Sequence, residues 1–152
     1  MTDTPSLAEG YEFSADPDRI DAERVHRWLS TDAYWAIGRP REKHDRAIDG
    51  SLNFGVYASV SGEQVAYARV VTDRATFAWL ADVFVIEARR GERIGAALMD
   101  AVIVHPDLQG LRRFCLVTRT APALYARYGF TPLVAPEIWM ERFDAEAYSR
   151  SA

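Results

Sequence analysis

Two adjoining features of the chain carry residue types suited to chemistry. The first is the turn Arg89-Arg90-Gly91-Glu92-Arg93-Ile94-Gly95, which packs three guanidinium groups and two glycines into seven residues. It joins a nearly continuous apolar run, Leu80 to Ile86, to an amphipathic pattern that continues through Met99. A strand that enters a helix through such a turn leaves backbone N–H groups free in the first helical turn. The helix dipole favours negative charge at the same place. The expected chemistry is binding of a phosphate-bearing ligand. The second feature is Asp82, the only acid within Phe77 to Ile86. An ionised carboxylate in a strand with apolar residues on both faces is costly unless it is paired or functional. Two readings follow: a base that takes up a proton, or a structural acid held by backbone amides or by an arginine such as Arg69.

The elements that position these residues read as follows. Tyr11 to Ser14 is a short strand, and residues 1–9 read as frayed. Asp16 is a helix N-cap with Pro17 at the first helical position, and Ile20, Val25, Trp28 and Leu29 supply that helix's apolar positions. Thr31 to Pro40 is a loop with two aromatics. A second helix spans about Arg41 to Asp49, before Gly50. Leu52 to Ser59, Gln64 to Thr72 and Phe77 to Ile86 form a meander of strands, with a tight turn at Ser61-Gly62. The third strand is apolar on both faces and reads as central and doubly covered. A helix from about Glu92 to Val104 places Ile94, Ala97, Leu98, Ala101 and Val102 on one face. Phe114 to Val117 is a short buried strand, Pro122 to Tyr128 a short helix stopped by Gly129, and Phe130 to Phe143 contains a last extended segment interrupted by Pro132 and Pro136. The predicted fold is a mixed, mostly antiparallel α/β sheet with helices on both faces, in one domain over residues 1–152.

Composition narrows the classes. A chain of 152 residues, 49% hydrophobic and 26% charged, suits one globular core. A net charge of −4 argues against nucleic acid as partner. A local basic site in an acidic protein suits a small anion. The single Cys115 gives no disulfide framework, and His26, His44 and His105 lack metal-ligand spacing, so no metal is expected. The polar start MTDTPSLAEG and the lack of a run of roughly 20 apolar residues predict a cytoplasmic protein without a membrane partner. Neither a P-loop nor a G-x-G-x-x-G turn is present.

In this context Arg90 to Ala96 resembles the acyl-CoA binding motif of the GCN5-related N-acetyltransferase (GNAT) superfamily: Gln or Arg, two residues, Gly, one residue, then Gly or Ala. Arg90 and Gly95 fill the ends, and Arg93 stands where the middle glycine is usual. Downstream, Ala121-Pro122-Ala123-Leu124-Tyr125-Ala126-Arg127-Tyr128-Gly129-Phe130 is similar to the superfamily's A-x-x-L-Y-x-x-x-G-F segment. The resemblance covers nearly the whole chain, and YWAIGRP and HPDLQGLRRF also look like a subgroup of small single-domain acetyltransferases.

The resemblance implies an acyl-CoA N-acyltransferase fold and transfer of an acetyl group from acetyl-CoA to a primary amine, of a small molecule, by direct attack in a ternary complex. A non-catalytic acyl-CoA sensor and an acetyltransferase acting on a protein or peptide are the alternatives, and the chain would act as monomer or homodimer. The N–H groups of Gly91, Glu92, Arg93, Ile94, Gly95 and Ala96 would wrap the CoA pyrophosphate, with Arg90 and Arg93 adding charge. A right-handed helical conformation at residue 93 would accommodate the arginine. The pantetheine arm would pair with Val83-Phe84-Val85, one of whose N–H groups would stabilise the oxyanion of the tetrahedral intermediate. Thr118 occupies the place of an Asn that contacts pantetheine. Tyr125 would protonate the departing thiolate, and Asp82, as a base, would deprotonate the amine. Tyr34, Trp35 and Arg39 would border the acceptor pocket and grip a substrate with an apolar body and a carboxylate, or else plug helix to sheet.

Overall fold

The computed structural model describes Leu7 and residues 9–149; most of the stretch read as frayed lies outside them. Five strands form one sheet in the order β1 (Tyr11–Ser14), β2 (Leu52–Ala58), β3 (Gln64–Thr72), β4 (Phe77–Val85) and β5 (Arg113–Cys115). The first four are successive antiparallel neighbours, and β5 lies parallel to β4. Four helices accompany them: α1 (Ala22–Asp32), α2 (Arg41–Asp49), α3 (Ile94–Ile103) and α4 (Pro122–Ala126). The mixed sheet is the expected one.

Its two faces carry separate cores. On one, Ile94, Leu98 and Val102 of α3 pack against Phe54, Ala68 and Leu80. On the other, Val25, Trp28 and Leu29 of α1 pack against Tyr67 and Phe84. Strand β4 changes allegiance partway. Ala78 and Leu80 belong to the α3 core, yet Phe84, of the same parity, belongs to the α1 core, and Val83 and Val85 pack toward α3. The cause is a β-bulge. Tyr67 pairs with Phe84 and Arg69 with Ala81, so two residues lie between partners on β4 and one on β3. Asp82 sits in the bulge at φ +55°. One extra residue inverts every later side chain.

Several expectations need correction. The first helix does not run from Asp16: that residue caps only a 3₁₀ turn, Pro17–Arg19, and α1 starts anew at Ala22 under a second cap, Asp21, whose carboxylate accepts the Arg24 N–H. Strand β4 is covered unevenly: α3 packs on one face and α1 on the other at Phe84, but Trp79 and Ala81 are only half-buried. Helix α3 begins at Ile94 rather than Glu92, since Arg93 is left-handed (φ +61°) and cannot continue a right-handed helix. The short strand is Arg113–Cys115, ending before Val117. Phe130 to Phe143 forms no strand among the described residues; prolines 132 and 136 lack ladder donors, and a 3₁₀ turn, Pro136–Ile138, interrupts it.

Helices α1 and α2 are joined by histidines. Buried His44 donates through Nε2 to the Ala22 carbonyl (3.0 Å), and His26 donates to the Arg39 carbonyl (2.7 Å), with the rings 5.1 Å apart. Burial, then the neighbouring His26, pushes the His44 pKa down to about 4 from 6.5. The folded state therefore favours neutral His44. Its contribution is intact above pH 6.5 and declines as pH falls from 6.5 to about 4. The urea midpoint should drop over that window, and His44→Gln should flatten the drop. A wild-type midpoint constant from pH 7 to pH 4.5 would contradict this.

Candidate functional site

The basic turn folds as expected for a strand-to-helix connection, with an unexpected backbone. A 3₁₀ turn, Glu87–Arg89, leads to extended Arg90, then to Gly91 at φ +90° and Arg93 at φ +61°, and α3 starts. Gly91 is thus required by conformation. Arg93 is corrected: it is left-handed, so the arginine holds a position that glycine would occupy without strain, at a cost of about 1–2 kcal/mol. Arg90 folds back, donating from Nε to the Val85 carbonyl (3.0 Å) with its guanidinium over the Phe84 ring.

A cleft of about 320 Å³ opens between this turn and α4. Val85, Arg90, Gly91 and residues 93–96 line one side, Leu124 and Arg127 the other. Of the turn, Arg89 and Glu92 lie outside it; the Glu92 carboxylate accepts the Tyr11 hydroxyl (2.7 Å) and leaves the cleft to cations. Arg127 was not singled out by the sequence as a site residue. Its only signal is its place two residues beyond Tyr125. The far wall is tied to α3 by Tyr128, whose hydroxyl lies 2.8 Å from both the Ala96 carbonyl and the Asp100 carboxylate. Close helix packing does not account for the glycines. A Cβ at Gly91 would meet nothing within 4 Å, and one at Gly95 only Val85 Cγ2 at 3.9 Å. Both glycines keep the cleft floor open.

The cleft runs into a parting of the sheet. Strands β4 and β5 pair only from Phe77 to Trp79, so the β5-facing edge of Val83-Phe84-Val85 has no strand partner among the described residues. Tyr125 is nearly buried in the α3-side core against which Val83 and Val85 pack, its ring edge-on to Phe130 (6.1 Å). Burial, then Tyr34, raises its pKa, so the phenol keeps its proton at neutral pH. Thr118 does not present its hydroxyl to the cleft; Oγ1 accepts the Ala121 N–H (3.1 Å) and shapes the turn into α4.

Asp82, read as a base or as a structural acid, is held by side chains on every side. Oδ2 accepts from Arg39 Nη1 (2.8 Å) and Arg69 Nε (2.8 Å), and Oδ1 from Trp35 Nε1 (2.9 Å) and Arg39 Nη2 (3.1 Å). All four lone-pair positions are filled. Burial pushes its carboxyl up, but the bonds and charges of Arg39 and Arg69 prevail and hold it at about 2. So weak a base with no free lone pair is ill suited to take a proton from an amine. Arg39 is corrected: it is buried, and both terminal nitrogens are on Asp82, so it does not reach out to a substrate. Tyr34 and Trp35 do face outward, about half-exposed, with rings edge to face at 4.9 Å. Arg119, which the sequence reading passed over, lays its guanidinium on Tyr34, 4.8 Å from the ring centroid.

Among the described residues no cluster of His, Cys, Asp or Glu could hold a metal, and no helix is long and apolar enough to cross a membrane. Residues 52–132 match the family model described as acetyltransferase (GNAT) domain. A Gibberella zeae protein that carries an acetyltransferase name is 28% identical over 137 residues, covering 77% of this chain and 76% of that protein. A Xanthomonas campestris crystal structure assigned to the GNAT family is 50% identical, with a TM-score of 0.89, covering 95% of this chain and 100% of that one. A Clostridium acetobutylicum acetyltransferase, solved with acetyl-CoA, shares the fold at 15% identity and a TM-score of 0.61, covering 88% and 94%.

The backbone at residue 93 yields a direct test. Arg93→Gly should be more stable to urea than Arg93→Ala by about 1 kcal/mol, because alanine keeps the left-handed strain. Equal stabilities would show that residue 93 is right-handed in solution.

Proposed function

Because the chain belongs to the GNAT acetyltransferase family, we propose that it transfers an acetyl group from acetyl-CoA to the primary amine of a small molecule, by direct attack with both substrates bound. The observation that carries this reading is the continuity of three features. A glycine-floored basic cleft at the start of α3 takes in Val85, on the stretch of β4 without a β5 partner, and is walled by Leu124 of α4, the helix that carries the protonated Tyr125.

Each part has a role. The N–H groups from Gly91 to Ala96 hold the pyrophosphate, and Arg90, Arg93 and Arg127 add charge around it. The backbone of Val83 to Val85 extends its unpaired groups to the pantetheine amides. A backbone N–H at the bulge receives the negative charge that develops on the thioester oxygen. The amine attacks neutral: the C–N bond forms, the C–S bond breaks, and Tyr125 gives its proton to sulfur. The phenolate then takes the proton that the nitrogen sheds, which restores the acid. Asp82 is a positioning residue in this scheme, holding the bulge and the Trp35–Arg39 loop in one geometry. The glycine at 95 keeps space for the donor.

Tyr125→Phe should lower kcat by about 10²–10⁴-fold, with the acetyl-CoA dissociation constant changed by no more than a few-fold. Stopped CoA release over an amine panel, with calorimetry for binding, measures both. Turnover unchanged by the substitution would remove Tyr125 as the acid. Gly95→Ala should weaken acetyl-CoA binding at least tenfold without loss of thermal stability; unchanged affinity would place the phosphates elsewhere.

A further inference from the structure

The wall on the acceptor side is built from α1–α2 loop residues and from the turn before α4. Arg119 lies on the Tyr34 ring, Tyr34 is edge-on to Trp35, and the Trp35 indole donates to Asp82. The Trp35 end of the stack thus reaches the bulge, next to the stretch of β4 that has no β5 partner among the described residues. Arg119 does not line the phosphate cleft. Among the described residues no carboxylate pairs with it and no hydrogen bond occupies it.

The charges are uneven. Arg39, Arg69 and Arg119 are cations, and the one carboxylate that touches the group, Asp82, is already shared between Arg39 and Arg69. Tyr34, Trp35 and Tyr125 contribute no negative charge. In a protein of net charge −4 the acceptor wall is locally positive. A bare ammonium would be repelled from it. An amine that brings its own anion would be neutral as a whole and would find in Arg119 a guanidinium already held flat by an aromatic ring, so little side-chain freedom is lost on binding.

We infer that the acceptor is an amine carrying an anionic group, a carboxylate or a phosphate, and that Arg119, stacked on Tyr34, is the residue that binds this group. The inference rests on the acetyl-transfer reading and names the substrate class of the same site. The carboxylate grip sought at Arg39 thereby moves to Arg119, in the turn before α4.

Matched amines test it: phenylalanine against phenethylamine, glutamate against 4-aminobutyrate lacking the α-carboxylate, and phosphoethanolamine against ethanolamine, each followed by CoA release. The anionic or more anionic member should have the higher kcat/KM by at least about tenfold, which corresponds to 1.4 kcal/mol. Whether the carboxylate or phosphate pairs show the effect distinguishes the two anions. Arg119→Gln should raise KM for the preferred amine about tenfold and shrink the preference to about twofold, with acetyl-CoA affinity held. Turnover without preference for the anionic member would overturn the inference while leaving acetyl transfer intact. A loss of acetyl-CoA affinity in Arg119→Gln would overturn it too, assigning the guanidinium to the donor. Calorimetry with N-acetylphenylalanine and N-acetylphenethylamine reads the same preference without turnover. Arg119-dependent binding of the first, with no amine acetylated, would sustain Arg119 as the anion site and refute the catalytic reading on which the acceptor assignment rests.

Discussion

The carboxylate of Asp82 is the constraint on which the site depends. It is buried in a strand, in a left-handed conformation, and accepts four hydrogen bonds from three side chains. Those donors come from two other elements, the α1–α2 loop and β3. One group therefore fixes the bulge, the edge of β4 and the loop that faces the acceptor. The bulge inverts the strand, sending Phe84 to the α1 core and Val83 and Val85 toward α3. A buried ion pair adds little net stability when judged against apolar packing, but removing one partner leaves an unpaired buried charge, which is strongly destabilising. The network is better explained by what it positions than by what it adds to stability.

The donor side depends on conformation more than on charge. Two left-handed residues, Gly91 and Arg93, turn the chain from the end of β4 into α3, and a glycine in ordinary helical geometry at 95 keeps the floor open. Arginine at 93 is an uncommon solution. It carries backbone strain and places a guanidinium on the cleft rim, facing Arg127 across from α4. Glu92, the one acid in the turn, is drawn off by Tyr11. The cleft is thus lined by cations although the sequence interleaves both signs.

Much of this was legible in the residues. Alternation and turn residues located β2, β3 and β4 to within a residue or so, and the glycine-containing basic turn announced an anion site at a helix start. Three things were not legible. The bulge at Asp82 was not legible: aspartate is uncommon in strands and tolerates a left-handed backbone, but one aspartate does not specify a bulge, and this conformation is maintained by partners 13 to 47 residues away. The burial of Arg39 follows from that same long-range pairing, whereas in sequence it stands in a loop between Gly38 and Pro40. Arg119 gave no cue at all, since its partner Tyr34 lies in another element. From Phe130 to Phe143 the interruption by prolines 132 and 136 was legible, but the extended segment around them forms no strand among the described residues, and Val134, Met140 and Phe143 are exposed.

The account's central claim is that Asp82 acts by position, on the bulge and the acceptor loop, and leaves the phosphate cradle alone. The most direct measurement is Asp82→Asn, studied at a temperature where circular dichroism shows it folded, with acetyl-CoA affinity by calorimetry and kcat by CoA release. The account predicts affinity within about fivefold of wild type and kcat lowered by about 10²-fold, the size expected when one oxyanion donor is misaimed. A folded variant with kcat within about twofold of wild type would contradict it.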